Sequence, residues 1–557
     1  MNYYEKHIFT KDSKHDLLIY HNLSYLVNNI IVTNNRGIHN DIVYVENNKI
    51  IGIKKRNTSK ISGILYLNKN TKYGFNSKNM PYYIFRPLNK KYPTFLVASS
   101  LKTKIKTYMT IIFNKWPINS KYPYGQCMDV IGPINICKNI YEILLYKHNL
   151  IYPKLKILKN TIEEHKSYFI ENTNYKVFTI DPIGCKDIDD ALSISIYDTY
   201  VELGVHITDV SYFINNIDHL LNNLSSSIYG NHRQINILPD IYATNICSLL
   251  ENTNRKSVSI FFKFSHNYVL IEYNIKLTNV HIIKNFSYEE AENIIKLRNN
   301  KYNYLLDLWD FMSNYNKLIT DTHILVEKLM ILANHKIAET LYKYDKNNTI
   351  LRVHNNNNND NNDINSTLNK ITYNYLKMRT YNSAIYEKNV INPTHYGLNI
   401  NLYTHFTSPI RRICDIITHI NIKNYLNKQD LLIISQENLD HINKVNKDIK
   451  KLYNDYKIVD LLDKYKNKSN IQCNAYIIDF TLNKFILYIP KYNIEYKIKY
   501  YNNKLDNLYT IIKADTFLEI MYENTIKKYN KYDLIKIELY FIENEDSLEN
   551  KIKIKIL

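Results

Sequence analysis

Four aspartates stand within residues 181–190 of a chain that is otherwise strongly basic. Upstream, residues 175–180 are apolar and β-branched and predict a strand, which Pro182 and Gly184 bring to an end. Downstream, residues 191–197 alternate between apolar and polar side chains and predict a second strand. The acidic cluster is therefore expected on a loop held between two buried strands, which is a rigid place to hold ligands.

Carboxylates this close together need a compensating partner. Two unit charges 4 Å apart repel by roughly 4 kcal/mol even at an effective dielectric of 20. The aspartates either spread into water or converge on hard cations such as Mg²⁺, which prefers carboxylate and phosphate oxygens. A calcium loop of the EF-hand kind fits poorly, because counting from Asp187 the sixth position is Leu192 and the twelfth is Asp198. For this stretch alone, a solvated acidic turn is favoured over a metal site.

The formal charge of +19, from 72 Lys and Arg against 53 Asp and Glu, suggests a polyanionic partner, with nucleic acid favoured. An AT-rich genome would enrich Lys, Asn, Ile and Tyr codons in the same way, so charge alone leaves both interpretations open. The six cysteines show no CxxC pairing, so a zinc site is not expected and a reducing compartment is the simpler reading. Without a long apolar run or a signal-peptide core, the protein is expected to be soluble and intracellular, cytoplasmic or nuclear.

The N-terminal and C-terminal parts of the chain have a β texture. Short β-prone runs separated by polar turns over residues 1–150 predict small β-barrels. Strand-like runs continue over residues 170–275, and others from about residue 470 predict a terminal OB-like barrel. His206 falls in the middle of a predicted strand, so a hydrogen-bonded core histidine is favoured over a catalytic role.

From about residue 287 the texture becomes helical. Ser287 and Glu290 form a capping-box signature that predicts a helix start. Apolar residues at helical spacing predict further helices over residues 325–337 and 439–459, and the second stripe is expected to pack in the core. The Asn-rich residues 355–363 predict a solvated loop.

A second constellation lies at residues 403–412, YTHFTSPIRR, where Arg411 and Arg412 follow a Ser-Pro turn. Arginines fixed in this way can clamp phosphate and stabilise charge developing on a phosphoryl oxygen. For this run alone, an ordinary arginine pair on a basic surface is favoured. Together with the aspartates, however, the arginines complete the parts that a two-metal phosphodiesterase requires. No GxSxG elbow, P-loop or HExxH motif supports a covalent hydrolase, an NTPase or a zinc protease.

DPIGCKDIDDAL (residues 181–192) and YTHFTSPIRR resemble the two signature motifs of the RNase II (RNB) family of exoribonucleases. The resemblance runs almost end to end, including LVEKLMILAN (residues 325–334) and LRVH (residues 351–354), and it leans towards the eukaryotic exosome-type branch. It implies a multidomain α+β chain in which small OB or cold-shock β-barrels flank a central α/β RNB domain. The expected domains are a first, shortened cold-shock domain at 1–56, a second at 57–150, the RNB domain with its long C-terminal helices at 151–467, and an OB-type RNA-binding domain at 468–557.

The resemblance also implies roles for individual residues. Two magnesium ions, for which manganese is the expected substitute, would be bound by Asp181, Asp187, Asp189 and Asp190. Asp189 and Arg411 are the expected catalytic residues, because the loss of Asp189 should abolish turnover and Arg411 should contact the scissile phosphate. The residues expected to bind RNA are Tyr229, Tyr288, Arg411 and Arg412.

The implied activity is processive, magnesium-dependent 3′→5′ hydrolysis of single-stranded RNA to nucleoside 5′-monophosphates. The expected protein is a monomer without a membrane partner, and an exosome-like complex is a further candidate partner. A catalytically silent RNA-binding protein on the same scaffold is the alternative, and a DNA-directed exonuclease stays open because discrimination by the 2′-hydroxyl is a property of the folded site. Two departures stand out: Lys328 occupies a position where family members usually carry a second glutamate, and the N-terminal part is too short for a PIN endonuclease domain.

Overall fold

A computed structural model provides the structure of the chain. It describes residues 15–21, 24–28, 30–32, 34, 36–67, 72–153, 170–171, 175–214, 216–354, 372–375, 379, 383–391, 393–466, 470–481, 484–499, 504–505, 509–514, 518–522 and 525–557. Two compact units divide the chain. The first comprises residues 1–151, 230–232 and 448–557, and the second comprises residues 152–229 and 233–447. The Asn-rich residues 355–363 lie outside the described residues.

Strands and helices are numbered here in chain order. The strands are β1 His15–Leu17, β2 Ile19–His21, β3 Ser24–Val27, β4 Ile30–Val32, β5 Ile42–Glu46, β6 Lys49–Lys55, β7 Ile61–Leu65, β8 Tyr82–Pro87, β9 Phe95–Ala98, β10 Thr107–Lys115, β11 Tyr124–Pro133, β12 Ile170–Glu171, β13 Val177–Asp181, β14 Asp190–Ile196, β15 Val201–Thr208, β16 Ile228–Tyr229, β17 Gln234–Ile235, β18 Asn254–Phe264, β19 Leu270–Ser287, β20 Leu351–Val353, β21 Ile385–Glu387, β22 Thr394–His395, β23 Ile400–Asn401, β24 Asn470–Thr481, β25 Lys484–Ile489, β26 Ile494–Lys499, β27 Lys504–Leu505, β28 Tyr509–Ala514, β29 Leu518–Tyr522, β30 Thr525–Tyr529, β31 Leu534–Phe541 and β32 Ile552–Ile556. The helices are α1 Cys137–Lys147, α2 Asp218–Leu221, α3 Tyr288–Leu297, α4 Asn303–Tyr315, α5 Thr322–Tyr344, α6 Ile413–Leu426 and α7 Gln436–Tyr465.

The first unit contains the expected β structure. Strands β7 to β11 form a closed barrel in the order β10-β11-β9-β8-β7, which confirms a small β-barrel within residues 57–150. Its interior is filled by apolar side chains such as Phe85, Phe95 and Ile111. The strands before it form two three-stranded sheets, β1-β5-β6 and β2-β3-β4. Helix α1 follows the barrel, in a part of the chain where the sequence predicts mainly strands.

The C-terminal part of the first unit is also made of strands. Strands β24, β25, β26, β31 and β32 form a five-stranded sheet in the order β26-β25-β24-β31-β32. A second sheet, β27-β28-β29-β30, is inserted in the chain between β26 and β31. The alternating buried positions of β32 show that one face of the five-stranded sheet is packed, as the sequence pattern predicts.

The second unit is organised around a six-stranded sheet in the order β12-β19-β13-β14-β15-β18. Strand β18 also pairs with β19, so five of these strands close into a ring. The long strand β19 makes this possible because its first part pairs antiparallel with β18 and its last part pairs parallel with β13. At the end of the parallel pairing, Asp181 lies opposite Ser287. This register brings the start of α3 beside the end of β13.

Helices cover one face of this sheet. The shared core combines strand residues such as Phe178, Leu192 and Phe262 with helix residues such as Leu305 and Leu325. This arrangement buries a single continuous apolar core between sheet and helices, as α/β packing requires.

The three helix predictions are confirmed, because α3, α5 and α7 cover the three predicted segments. Helix α3 begins where the capping box predicts, because the Ser287 Oγ accepts a hydrogen bond from the Glu290 N–H at 3.0 Å. Helix α7 buries the predicted stripe, including Leu439, Ile442, Leu452 and Val459. None of the helices in the described part of the chain is long and apolar enough to cross a membrane.

Candidate active site

The acidic loop lies between β13 and β14, as predicted. Asp181 is the last residue of β13, and Asp190 is the first residue of β14. Between them, Gly184 has a φ of +79°, a left-handed conformation that favours glycine. The loop is fastened to the segment before β18, because the buried Ile188 donates its N–H to the Ser248 Oγ at 3.0 Å, and to β15, because the Thr208 N–H donates to the Asp189 carbonyl oxygen at 2.9 Å. The four aspartates are thus presented by a fixed backbone.

Asp189 joins the acidic loop to the arginine turn. Its carboxylate is only 4% exposed. Oδ1 accepts a hydrogen bond from the Ile410 N–H at 2.8 Å, and Oδ2 lies 3.4 Å from the Arg411 Nε. The structure therefore brings the two distant motifs into direct contact through the residue expected to be essential for turnover.

Asp187 is held by neutral donors from the hairpin β16–β17. The Tyr229 hydroxyl donates to its Oδ2 at 2.5 Å, and the Gln234 Nε2 donates to the same oxygen at 3.0 Å. The pKa of Tyr229 is raised by burial and by the neighbouring Asp187, so its hydroxyl stays a proton donor. The structure thus places Tyr229 at the acidic loop, next to an expected metal ligand.

Three of the four carboxyls have raised pKa values. Burial raises the pKa of Asp189 to about 7, while the charge of Arg411 and the Ile410 N–H act in the opposite direction. Burial, with the charge of Asp187, raises the pKa of Asp181 to about 6. Burial also raises the pKa of Asp190, with Asp181 and Asp189 adding to the effect. The ionised forms of these residues therefore gain from any positive charge placed among them.

The contacts around the loop show which oxygens remain for a ligand. Asp181 Oδ2 is buried and has no hydrogen-bond partner among the described residues. In Asp187 and Asp189, by contrast, carboxylate oxygens already accept hydrogen bonds from protein donors. No three Asp, Glu, His or Cys side chains of the described residues stand close enough together to hold a metal ion by themselves. A buried, unpaired carboxylate oxygen nevertheless fits a hard cation, since oxygen ligands are what Mg²⁺ prefers.

The arginine turn is built by Asp415, which the sequence analysis did not identify. Its fully buried Oδ1 accepts hydrogen bonds from the Ser408 N–H at 2.7 Å and from the Arg412 Nη2 at 2.8 Å. Ser408 in turn accepts from the Arg411 Nη2 at 2.9 Å through its Oγ. The only signal in the sequence was an acidic residue in the first turn of the helix that follows the arginines.

The two arginines therefore occupy different environments. The Arg411 side chain is 45% exposed and reaches the acidic loop, whereas Arg412 is mostly buried behind the turn and is paired with Asp415. Arg411 is the better placed of the two to meet a substrate phosphate.

Tyr288, the first residue of α3, also lies near the acidic loop. Burial raises its pKa, with the charges of Asp190 and Asp181 adding to the effect. Its ring is stacked on His323, a residue that the sequence analysis missed, with ring centroids 3.7 Å apart.

His206 is a core residue, as predicted. It is fully buried, its Nε2 is 2.9 Å from the Ser193 Oγ, and its Nδ1 is 2.8 Å from the Ser259 Oγ. Burial lowers its pKa to about 3, so it stays neutral.

Comparisons with known proteins match two parts of the chain. A model described as RNB domain matches residues 170–311 and 310–428, and a model described as Dis3-like cold-shock domain 2 (CSD2) matches residues 82–149. The closed sheet, the acidic loop and the arginine turn all lie within the segment that the RNB model matches, and the closed barrel β7–β11 overlaps the segment that the cold-shock model matches. Over residues 170–428 the chain is therefore similar to proteins that carry an RNB domain.

Individual relatives show how far the similarity extends. The exosome complex exonuclease RRP44 of Homo sapiens is 22% identical over 604 residues, which cover 91% of this chain and 61% of that protein. RNase R of Mycoplasma genitalium, in complex with ribose-methylated single-stranded RNA, has a TM-score of 0.71 at 17% identity and covers 98% of this chain and 100% of that chain. Yeast Ssd1, described as a pseudonuclease, has a TM-score of 0.66 at 15% identity and covers 97% and 96%. The chain spans about three fifths of the length of the RRP44 relative.

Proposed function

We propose that this protein is an active, processive 3′→5′ exoribonuclease that hydrolyses single-stranded RNA to nucleoside 5′-monophosphates. The observation that supports this most directly is the contact of Asp189 with both Ile410 and Arg411. It joins a carboxylate cluster and an arginine turn that a non-catalytic RNA-binding surface has no need to bring together. The proposal includes a two-metal mechanism with Mg²⁺, for which Mn²⁺ can substitute.

The residues that would hold the metal ions are Asp181, Asp187, Asp189 and Asp190. The fit rests on the unpaired buried oxygen of Asp181 and on the raised pKa values of three of these carboxyls. Bound magnesium would supply Lewis-acid activation of water and neutralisation of phosphate charge. The ionised carboxylates repel one another, and a bound cation offsets that repulsion.

The chain's own side chains would supply the remaining functions. Arg411 is exposed enough to pair with a phosphate and is held in place by Ser408 and Asp189, so it can offset negative charge that develops on the phosphoryl oxygens. Tyr288 and Tyr229 stand beside the aspartates as hydroxyl donors and aromatic surfaces for the terminal nucleotides. Arg412 would contribute to the positive field from behind the turn.

The alternative is a catalytically silent RNA-binding protein on the same scaffold. The likeness to yeast Ssd1 shows that this fold also occurs in a protein described as a pseudonuclease. In this chain all four aspartates and Arg411 are present, and Asp187, Asp189 and Arg411 contact protein partners, which favours the enzyme. The relative RRP44 is named an exosome complex exonuclease, so an exosome-like assembly is proposed as a partner besides RNA.

A 5′-labelled single-stranded RNA incubated with the purified chain and Mg²⁺ tests the proposal. The expected result is conversion of the full-length RNA to a short 5′-end product without accumulating intermediates, with release of mononucleotides from a uniformly labelled copy of the RNA, and loss of both in Asp189→Asn. Asp198→Asn is the matched control, because Asp198 is exposed beyond the end of β14 and should leave release unchanged. RNA binding without any release by the intact chain would refute the enzyme and leave the silent binding protein.

A further inference from the structure

An aromatic pair stands beside the acidic loop. The rings of Tyr288 and His323 are parallel to within 9°, and their centroids are 3.7 Å apart. Tyr288 begins α3, and His323 lies in the first turn of α5. His323 is exposed, whereas Tyr288 is partly buried. One face of the tyrosine ring is therefore covered by a residue that no part of the proposed mechanism uses.

The backbone contacts around the pair fix this stacking. Asp321 caps α5 by accepting a hydrogen bond from the Ile324 N–H at 2.9 Å. The next residue, Thr322, donates its N–H to the Glu292 Oε1 of α3 at 2.5 Å, and its hydroxyl lies 3.5 Å from the Tyr288 carbonyl oxygen. These contacts tie the start of α5 to α3, the helix that carries Tyr288, and so hold His323 over the tyrosine ring.

The tyrosine lies beside the acidic loop, because Ser287, the residue before it, is paired with Asp181 in the parallel register of β13 and β19. Burial, with the charges of Asp190 and Asp181, raises the pKa of Tyr288, so its hydroxyl remains protonated at neutral pH. No described residue is hydrogen-bonded to this hydroxyl. It is therefore a donor available at the edge of the proposed site.

We propose that His323 is a positioning residue: by stacking on Tyr288 it holds that ring so that the hydroxyl donates to an oxygen of the 3′-terminal nucleotide beside the acidic loop. The inference rests on the proposed function. The plainer interpretation, in which His323 only covers an apolar ring face, predicts no effect on RNA handling. Another aromatic side chain at position 323 should hold the Tyr288 ring equally well, because the proposed role depends on stacking and not on the chemistry of the imidazole.

The test compares His323→Ala with His323→Phe in the full chain, measuring kcat and KM on single-stranded RNA. Aromatic pairs contribute about 0.5–1.5 kcal/mol beyond area burial, so the alanine variant should lose about two- to tenfold in kcat/KM. The kcat/KM of the phenylalanine variant should be within about twofold of the value for the parent protein. His281→Ala is the control, because His281 is an exposed histidine on β19 that pairs with Asn254 and lies outside the site. Equal loss in the alanine and phenylalanine variants would overturn the inference.

A double-mutant cycle identifies the route of the effect. If His323 acts through the hydroxyl of Tyr288, His323→Ala should lower kcat/KM by less than about twofold when Tyr288 has already been replaced by Phe. Fully additive losses would show that His323 acts elsewhere and would overturn the proposal.

RNA affinity keeps this inference distinguishable from the proposed function. Fluorescence anisotropy of labelled RNA, with Asp189→Asn as the background and EDTA present, should show the same order of variants: the alanine variant weaker, the phenylalanine variant close to the parent. This readout does not need turnover, so it decides the inference even if the chain releases no mononucleotides. Unchanged affinity and unchanged turnover in His323→Ala, with release still dependent on Asp189, would refute the positioning role alone.

Discussion

Adding Mg²⁺ to the metal-free protein should release protons from the acidic loop, and the number released should fall as the pH rises. Burial raises the pKa of Asp189 to about 7 and that of Asp181 to about 6, and it raises the pKa of Asp190 as well. Without a cation, these carboxyls therefore retain protons close to neutrality. A divalent cation binds only the ionised carboxylates, so its binding must expel those protons.

The size of the effect follows from the two pKa values. With a pKa of about 7, Asp189 is about three quarters protonated at pH 6.5 and about one tenth protonated at pH 8. Asp181, with a pKa of about 6, adds about a quarter of a proton at pH 6.5 and almost none at pH 8. These two residues together should release about one proton at pH 6.5 and about a tenth of a proton at pH 8. Protons from Asp190 add to both totals.

The same raised pKa values determine how stability depends on pH. The folded state binds the Asp189 proton more tightly than the unfolded chain, whose aspartate pKa is 3.8. The stability that this proton contributes is therefore fully present below pH 3.8 and is lost as the pH rises through about 7, by an amount on the order of 4 kcal/mol. Mg²⁺ replaces the lost proton, so its stabilising effect on thermal unfolding should be larger at pH 8 than at pH 6.

Isothermal titration calorimetry in pairs of buffers with different ionisation enthalpies counts the released protons directly. Asp189→Asn should lose the larger share of the release at pH 6.5, whereas the exposed control Asp198→Asn should not change it. An identical proton count at pH 6.5 and pH 8, or no release at either pH, would refute the reasoning that links burial of these carboxyls to cation binding.

Two further predictions concern the surroundings of the site. Asp415→Asn removes the charge that pairs with the buried Arg412 and weakens the contact to Ser408. We therefore expect a loss of about 3 kcal/mol in stability, seen as a lower Tm, and a kcat/KM on RNA lowered by about tenfold. An unchanged Tm would show that the pairing of Asp415 with Arg412 does not stabilise the fold. Gly204→Ala would place a Cβ 2.3 Å from the Ser193 Oγ and 2.6 Å from the His206 Nε2, and should lower stability by about 1–3 kcal/mol, measured by thermal unfolding. Wild-type stability would mean that these two side chains can move aside.

The sequence predicted the local elements of the site well. The acidic loop between two strands, the helix start at Ser287 and the buried stripe of α7 all depend on residues that are close in the sequence, where periodicity and capping chemistry act directly. The proximity of the acidic loop to the arginine turn could be expected only because the two motifs pointed to one chemistry.

The missing parts of the site depend on tertiary contacts. Asp415 looks like an ordinary acidic residue in a first helical turn until the fold places Ser408 and Arg412 against its oxygen. His323 gains significance only because the start of α5 packs against α3 and brings its ring over Tyr288. Neither contact has a periodic or compositional signature, so pattern arguments from a single sequence could not find them.

The hydrogen bond from Ile410 to Asp189 spans 221 residues of chain. During synthesis at about 5–20 residues per second, the acidic loop therefore exists for about 10 to 40 seconds before the residue that anchors it has been made. Throughout that interval the nascent chain holds its carboxylates without the opposing arginine. Because of the long separation between the two motifs, the acidic loop and the arginine turn can come into contact only after most of the protein has been translated.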